Sequence, residues 1–240
     1  MTRRIRLGML TPSSNTALEP ISQAMIAPLG EVSVHFQRFP VTEIALSERA
    51  LAQFDDAPLL AAAELLAHAR MDAIVWNGTS SGWLGFEADH RLCARITAAT
   101  GIPATTSMLA LNEALAALPA RRVGFVTPYL DAVQARILAN YAAIGVASAA
   151  ERHLGLQDNF SFAEVAPATI AGMITEVAAA RPDAIAVICT NLHAAPLAAE
   201  LESRLGVPVF DTVATAIWGG LRLSGADPRL VRGWGRLFAL

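Results

Sequence analysis

Cysteine is scarce in this sequence. There are two, Cys93 and Cys189, without CxxC spacing, which excludes a zinc ribbon and a disulfide framework. Charge is thin as well. Only 16% of the 240 residues are Asp, Glu, Lys or Arg, and the formal net charge is −3, so the chain has no electrostatic footprint for nucleic acid or a membrane surface. No apolar run approaches the roughly 18 residues of a transmembrane helix. Motifs for phosphates and metals are missing. Gly78, Gly82 and Gly85 fit neither G-x-G-x-x-G nor the P-loop, HExxH is absent, and the five histidines are scattered. The sequence therefore calls for no cofactor and no metal. The start, Met1 to Leu7, leads straight into a strand-like run rather than a signal peptide, which gives a cytoplasmic expectation.

Apolar residues are abundant, at 54%, which suits a compact α/β protein with buried sheet. One short apolar run organises the rest: Asp183-Ala-Ile-Ala-Val-Ile-Cys-Thr190. It has the length and composition of a buried parallel strand, and it ends in a thiol, a hydroxyl and an amide, Cys189, Thr190 and Asn191. In open α/β sheets, ligands bind at such carboxyl ends.

The same pattern occurs earlier. Asp72-Ala-Ile-Val-Trp-Asn-Gly-Thr79 aligns with it without a gap at an offset of 183 − 72 = 111 residues. Gly78 then stands opposite Cys189, and Thr79 opposite Thr190. Leu7-Gly-Met-Leu-Thr-Pro12 matches Val123-Gly-Phe-Val-Thr-Pro128, and Gly101-Ile-Pro103 matches Gly206-Val-Pro208. Three matches in one order argue for an internal duplication. We expect two halves, 1–116 and 117–211, facing each other across a cleft, with 212–240 packing back on the first.

Periodicity and turn signals give strands at Ile5–Leu10, Val32–Arg38, up to Asn77, and at Ala104–Thr106 in the first half. Strands at Val123–Val126, Val146–His153, up to Cys189, and at Val207–Phe210 follow in the second. Helices lie between them. One starts at Leu18, and another is capped by Ser47, interrupted near Pro58 and continued to Arg70. Cys93 falls inside a helix and reads as a small buried residue. Alternating strands and helices predict parallel sheets with right-handed crossovers.

Gly78-Thr-Ser-Ser-Gly82 fits G-x-S-x-G, the nucleophile elbow of serine hydrolases, with Ser80 as nucleophile. No HGGG-type segment accompanies it, and a triad would have to recruit His153 or His193 with Asp131 or Asp158. The duplication suggests another use. Gly78, Thr79 and Ser80 supply backbone N–H groups and hydroxyls that converge on an anion, with Thr190 contributing from the other half and Tyr129 adding a phenolic donor. His193, four residues past Cys189, is within sequence reach of the same place. A silent site of this kind would make a diacid-binding protein instead of an enzyme.

Thr11-Pro-Ser-Ser-Asn-Thr16, Asn77-Gly-Thr-Ser80, Pro128-Tyr-Leu-Asp131, Ile188-Cys-Thr190 and Gly233-Trp-Gly-Arg-Leu-Phe238 together resemble the aspartate/glutamate racemase superfamily. The resemblance is to the branch of maleate cis-trans isomerases and arylmalonate decarboxylases, and it runs over nearly the whole chain. It implies two α/β halves related by pseudo-twofold symmetry, a small dicarboxylic acid as substrate and no cofactor. Racemases and isomerases of the group generally carry a cysteine on each side of the cleft. Glycine at 78 resembles the decarboxylases instead. Carried over, Thr79, Ser80, Tyr129 and the Thr190 amide hold one carboxylate, Cys189 delivers a proton, and Pro12 and Val41 line the pocket. Asn15 departs from that pattern, because Pro-Ser-Ser-Asn-Thr is the first loop of the maleate isomerases, whose Asn contacts a substrate carboxylate. The implied reaction is decarboxylation of a substituted malonate, with isomerase or racemase as the alternative. An apolar surface is compatible with a homo-oligomer.

Overall fold

A computed structural model of the protein describes residues 4–240. Residues 1–3, and the reading of the chain's start that rests on them, lie outside the described residues. Strand β1 (Ile5–Pro12) pairs in parallel with β2 (Val32–Phe39) and β3 (Ala73–Trp76), and β3 pairs with β4 (Ala104–Thr106). The sheet order is β2-β1-β3-β4. A second parallel sheet repeats it as β6-β5-β7-β8, from β5 (Arg122–Thr127), β6 (Ala147–His153), β7 (Ala184–Val187) and β8 (Val209–Asp211). Every residue of β3 and β7 is buried, because these inner strands are covered on both faces.

The repetition extends to the register and the turns. Leu7 pairs with Ala73 in one sheet and Val123 with Ala184 in the other. Asp72 accepts the backbone N–H of Arg6 at 2.8 Å, and Asp183 accepts that of Arg122 at the same distance. Arg70 and Arg181, 111 positions apart, both take positive φ, 53° and 49°, at the turn into the inner strand. A carboxylate at the start of each inner strand thus fixes its register against the neighbour.

The helices are α1 (Leu18–Ile26), α2 (Glu48–Ala52), α3 (Asp56–Ala67), α4 (Ser81–Leu84), α5 (Glu87–Thr100), α6 (Ser107–Ala117), α7 (Asp131–Ala143), α8 (Pro167–Ala178), α9 (Ala198–Leu205) and α10 (Thr212–Leu223). Ser47 caps α2, accepting the N–H of Ala50 at 3.2 Å. The interruption lies at 53–55 rather than at Pro58. Proline there is the third residue of α3, where the missing N–H has no intrahelical acceptor and costs nothing. Two strand ends also differ from expectation. β7 stops at Val187, so Cys189 already belongs to the loop, and β8 starts at Val209 because Pro208 cannot donate to a ladder.

The two halves are interlocked. Helix α10, which follows the second sheet, packs on β3, β4, α6 and α1 of the first. Close approach is possible because Gly219 has no side chain, and a Cβ there would stand 2.7 Å from that of Ala110. In the other direction α4 packs against α7, and Asn140 donates to the Gly82 carbonyl at 2.9 Å. The carboxyl ends of β1, β3, β5 and β7 therefore meet in one place. Among the described residues, no helix is long and apolar enough to cross a membrane.

Candidate active site

The loops after β1, β3, β5 and β7 enclose a small buried cavity between the sheets. Pro12, Val41, Gly78, Thr79, Ser80, Tyr129, Cys189 and Thr190 line it, together with Ile44, Phe54, Trp76, Trp83 and Asn159. It measures about 20 Å³, room for roughly one water-sized group. Anything larger enters only when part of the wall moves. The roof is the segment after β2, whose Ile44 N–H donates to Gln157 and whose Thr42 carbonyl accepts the Asn159 N–H, both at 2.9 Å. A larger groove of about 650 Å³ runs past Cys93, His90 and Arg222 on the outside of α5, α6 and α10. It brings no set of donors together, since the Arg222 guanidinium is bound to Glu113 and lies over Trp218.

Polar groups in the small cavity come from both halves. Thr79 Oγ1 and the Tyr129 hydroxyl are 2.6 Å apart. Burial pushes the Tyr129 phenol well up, with the nearby Cys189 adding to the effect, so it stays a neutral donor. Thr190 donates its hydroxyl to the Asn77 carbonyl at 3.2 Å and accepts Asn15 Nδ2 at 3.2 Å, so what it can offer the cavity is its backbone N–H.

Cys189 is 2% exposed. Burial pushes its thiol up to about 12, and Asp211 adds to this, while the N–H groups of Asn191 and Leu192 and the Tyr129 hydroxyl work the other way. The thiol is therefore protonated at neutral pH. Its backbone N–H donates to Thr212 Oγ1 at 3.1 Å, which fixes the loop to the start of α10. Across the cavity Gly78 is held in the related way, its carbonyl accepting Ser107 Oγ from the start of α6. The space beside Gly78 is filled. A Cβ there would lie 2.1–2.5 Å from the indole of Trp76, which packs on Phe39 at 5.0 Å.

Asn15 is fully buried but does not line the cavity. Its Nδ2 donates to the Thr190 carbonyl at 3.0 Å, and its Oδ1 accepts the N–H groups of Ala17 and Leu18 at the start of α1. With both ends of its carboxamide engaged, it joins the first loop to the Cys189 loop. His193 is half-buried and is not part of the lining. The hydrolase constellation fails in its geometry. Ser80 has ordinary helical angles, φ −58° and ψ −34°, not the strain of a nucleophile elbow. His153 does bond Asp131, at 3.0 Å, but its other nitrogen is 2.8 Å from Glu151, so neither is free to activate Ser80.

Some contacts of the site had no signal in the sequence, even where the residue itself was marked, as Asn191 was. Asn191 accepts the N–H groups of Thr16 and Ala17 and donates to the Asn159 carbonyl at 2.6 Å, closing the ring of loops. Asn159, Ile44, Phe54, Trp76 and Trp83 join the cavity wall only through folding, although Trp76 and Trp83 flank the Gly78 loop and proximity alone could have suggested them.

The fold defines a class: two matched four-stranded parallel sheets with interleaved helices, as in the Asp/Glu racemase-like proteins, here with one thiol, Cys189, on the cavity between the sheets. The family model for arylmalonate decarboxylase matches residues 7–238, and the chain belongs to that family. The arylmalonate decarboxylase of Bordetella bronchiseptica is 34% identical over 164 residues, 67% of this chain and 68% of that protein. A maleate isomerase of Pseudomonas putida is 25% identical over 100% of this chain and 99% of its own length. Among solved structures, the maleate isomerase of Pseudomonas putida S16 with maleate superposes with a TM-score of 0.91 at 23% identity, covering 99% of this chain and 98% of its own. A mutant of arylmalonate decarboxylase in the liganded form gives 0.87 at 26%, covering 98% of each chain. These relatives are enzymes.

Proposed function

We propose that this protein is a cofactor-free decarboxylase of a substituted malonate, acting in the cytoplasm. The observation that carries the reading is the single thiol of the cavity, buried, protonated and opposed by Gly78 and the Trp76 ring. One carboxylate binds among Thr79, Ser80, Tyr129 and the Thr190 N–H. The other lies against Val41, Ile44 and Phe54, where an ionised group is poorly solvated. Its C–C bond breaks and CO₂ departs, while the bonding electron pair delocalises into the retained carboxylate as an enediolate. Charge grows on the oxygens that the donors already face, so the donors bind the transition state more strongly than the ground state. The Cys189 S–H then protonates the α-carbon from its own face, and the thiolate recovers a proton from solvent. The two halves of this site are read as residues 1–116 and 117–211, with 212–240 packed on the first.

Maleate isomerisation is the second reading. The whole-length likeness to maleate isomerases favours it, and one such neighbour, from Nocardia farcinica, is a mutant with a covalently bound succinylcysteine intermediate. Addition to maleate needs a nucleophilic thiolate, however, which the resemblance puts at the first of two cysteines, and Gly78 stands at that position. Incubation with phenylmalonate, maleate and aspartate, each followed by proton NMR, tests the choice. Conversion of phenylmalonate to phenylacetate is expected. Conversion of maleate to fumarate with phenylmalonate untouched would establish the isomerase, and turnover of none would leave a diacid-binding protein.

A further inference from the structure

Trp83 is 2% exposed and lines the same cavity as Thr79, Ser80 and Tyr129. Its indole N–H is buried and has no hydrogen-bond partner. Such a group is uncommon in a native fold, because an unmet buried donor costs about 1–3 kcal/mol. An indole has a donor and no acceptor, so only an acceptor can complete it.

The local structure puts this donor beside the others. Trp83 stands three residues after Ser80, and its backbone N–H donates to the Ser80 carbonyl at 3.1 Å. That spacing brings both side chains to one face of α4. The ring meets the Tyr129 ring edge-on, with centroids 5.3 Å apart, and Tyr129 is the partner of Thr79. Phe54 packs on its other side at 5.7 Å and belongs to the roof that must move to admit a ligand.

We infer that the Trp83 indole N–H is a further substrate-binding donor, directed to an oxygen of the carboxylate held by Thr79, Ser80 and Tyr129. This rests on the carboxylate-site reading above and adds a residue to it. The consequence is selectivity. A site with one more fixed donor discriminates against substrates that lack an acceptor there, since the donor is then left unmet. Trp218 provides an internal control. Its indole N–H is also buried and unpartnered, but it sits on α10 outside the cavity.

The test uses the intact protein labelled with ¹⁵N-tryptophan and titrated with phenylacetate, a carboxylate that cannot lose CO₂ by this route. The four indole signals are assigned with single Trp→Phe variants. On saturation the Trp83 indole proton is expected to move downfield while that of Trp218 stays in place. Trp83→Phe keeps an aromatic ring in the wall but removes the donor together with part of the buried indole. It is expected to weaken phenylacetate binding about tenfold or more, as for a hydrogen bond to a charged group, while thermal stability falls with the lost ring volume. Replacement of Trp83 by 3-benzothienylalanine, which keeps the bicyclic shape without the N–H, is expected to weaken binding equally. Saturation without a Trp83 shift, or an unchanged Kd in Trp83→Phe, would overturn the inference even if Tyr129→Phe still weakens binding. Failure of phenylacetate and maleate alike to bind would overturn the carboxylate site itself, and this donor with it.

Discussion

The two halves use the same device for different ends. In each, the inner strand runs into a loop held by the hydroxyl that opens the helix after the last strand of its sheet, Ser107 for Gly78 and Thr212 for Cys189. The polarity is reversed: Ser107 donates to a carbonyl, whereas Thr212 accepts an N–H. Two residues before each loop position the halves differ in bulk. Trp76 stands where the second half has Val187, and its indole takes the room that a side chain at 78 would need. The two platforms thus match in their anchoring, and one large aromatic side chain fills the space beside Gly78 in the first. In the proposed reaction, one-sided protonation would follow from packing as much as from the absence of a cysteine at 78.

The largest effect is expected where the reactive platform is emptied. Cys189→Ala should lower phenylmalonate turnover by about 10²–10⁴, the range for loss of a positioned acid, with far-ultraviolet circular dichroism unchanged. Cys93→Ala, in the outer groove, should retain wild-type rates in the same assay. Tyr129→Phe removes the donor that bridges to Thr79, and kcat should fall by about 10²–10³ with a smaller change in KM.

The silent platform is tested next. Gly78→Cys alone should destabilise the protein by about 1–3 kcal/mol in urea unfolding, the cost of overpacking against Trp76. Combining it with Trp76→Leu should restore stability and introduce α-proton exchange into 2-phenylpropionate. A stable single variant would show that the indole gives way easily.

The smallest effect concerns the cap behind Cys189. Asp211 is fully buried, and burial pushes its carboxyl from 3.8 up to about 7, against the N–H groups of Val213 and Ala214. Below about pH 4 both folded and unfolded chains hold the proton, and Asp211 then adds nothing to the pH dependence. Between pH 4 and 7 the unfolded chain releases the proton while the folded one retains it, so stability falls as pH rises. Asp89, raised by burial to about 6, acts in the same direction. Asp211→Asn keeps the accepting oxygen of the cap, and its melting temperature should decline less over that window, by the equivalent of about 1 kcal/mol or more.

Much of this was legible in the sequence because it depends on local repetition. The eight parallel strands, the pairing of Gly78 with Cys189 in the repeat, and the loop that carries Thr79 and Ser80 follow from short apolar runs that end in small polar residues, whereas the order of the strands in each sheet does not. Asn15 shows where such reading stops. Its motif marks a site loop, but only the tertiary fold reveals that its carboxamide is tied to Thr190 and the start of α1. The roof, the Asn191 clasp and the Trp76 plug are contacts between segments far apart in sequence or between rings, and no periodicity encodes them. The 20 Å³ cavity is likewise a property of packing alone.

In the proposed reaction a single thiol protonates a planar intermediate from one side while the other side is sealed. Its most direct test is the decarboxylation of 2-methyl-2-phenylmalonate in D₂O, with the product analysed by chiral chromatography and mass spectrometry. One enantiomer of 2-phenylpropionate is expected, carrying one α-deuterium and showing no further exchange or racemisation on long incubation, with Cys189→Ala slower by about 10² or more. Racemic product, or undiminished turnover in Cys189→Ala, would contradict it.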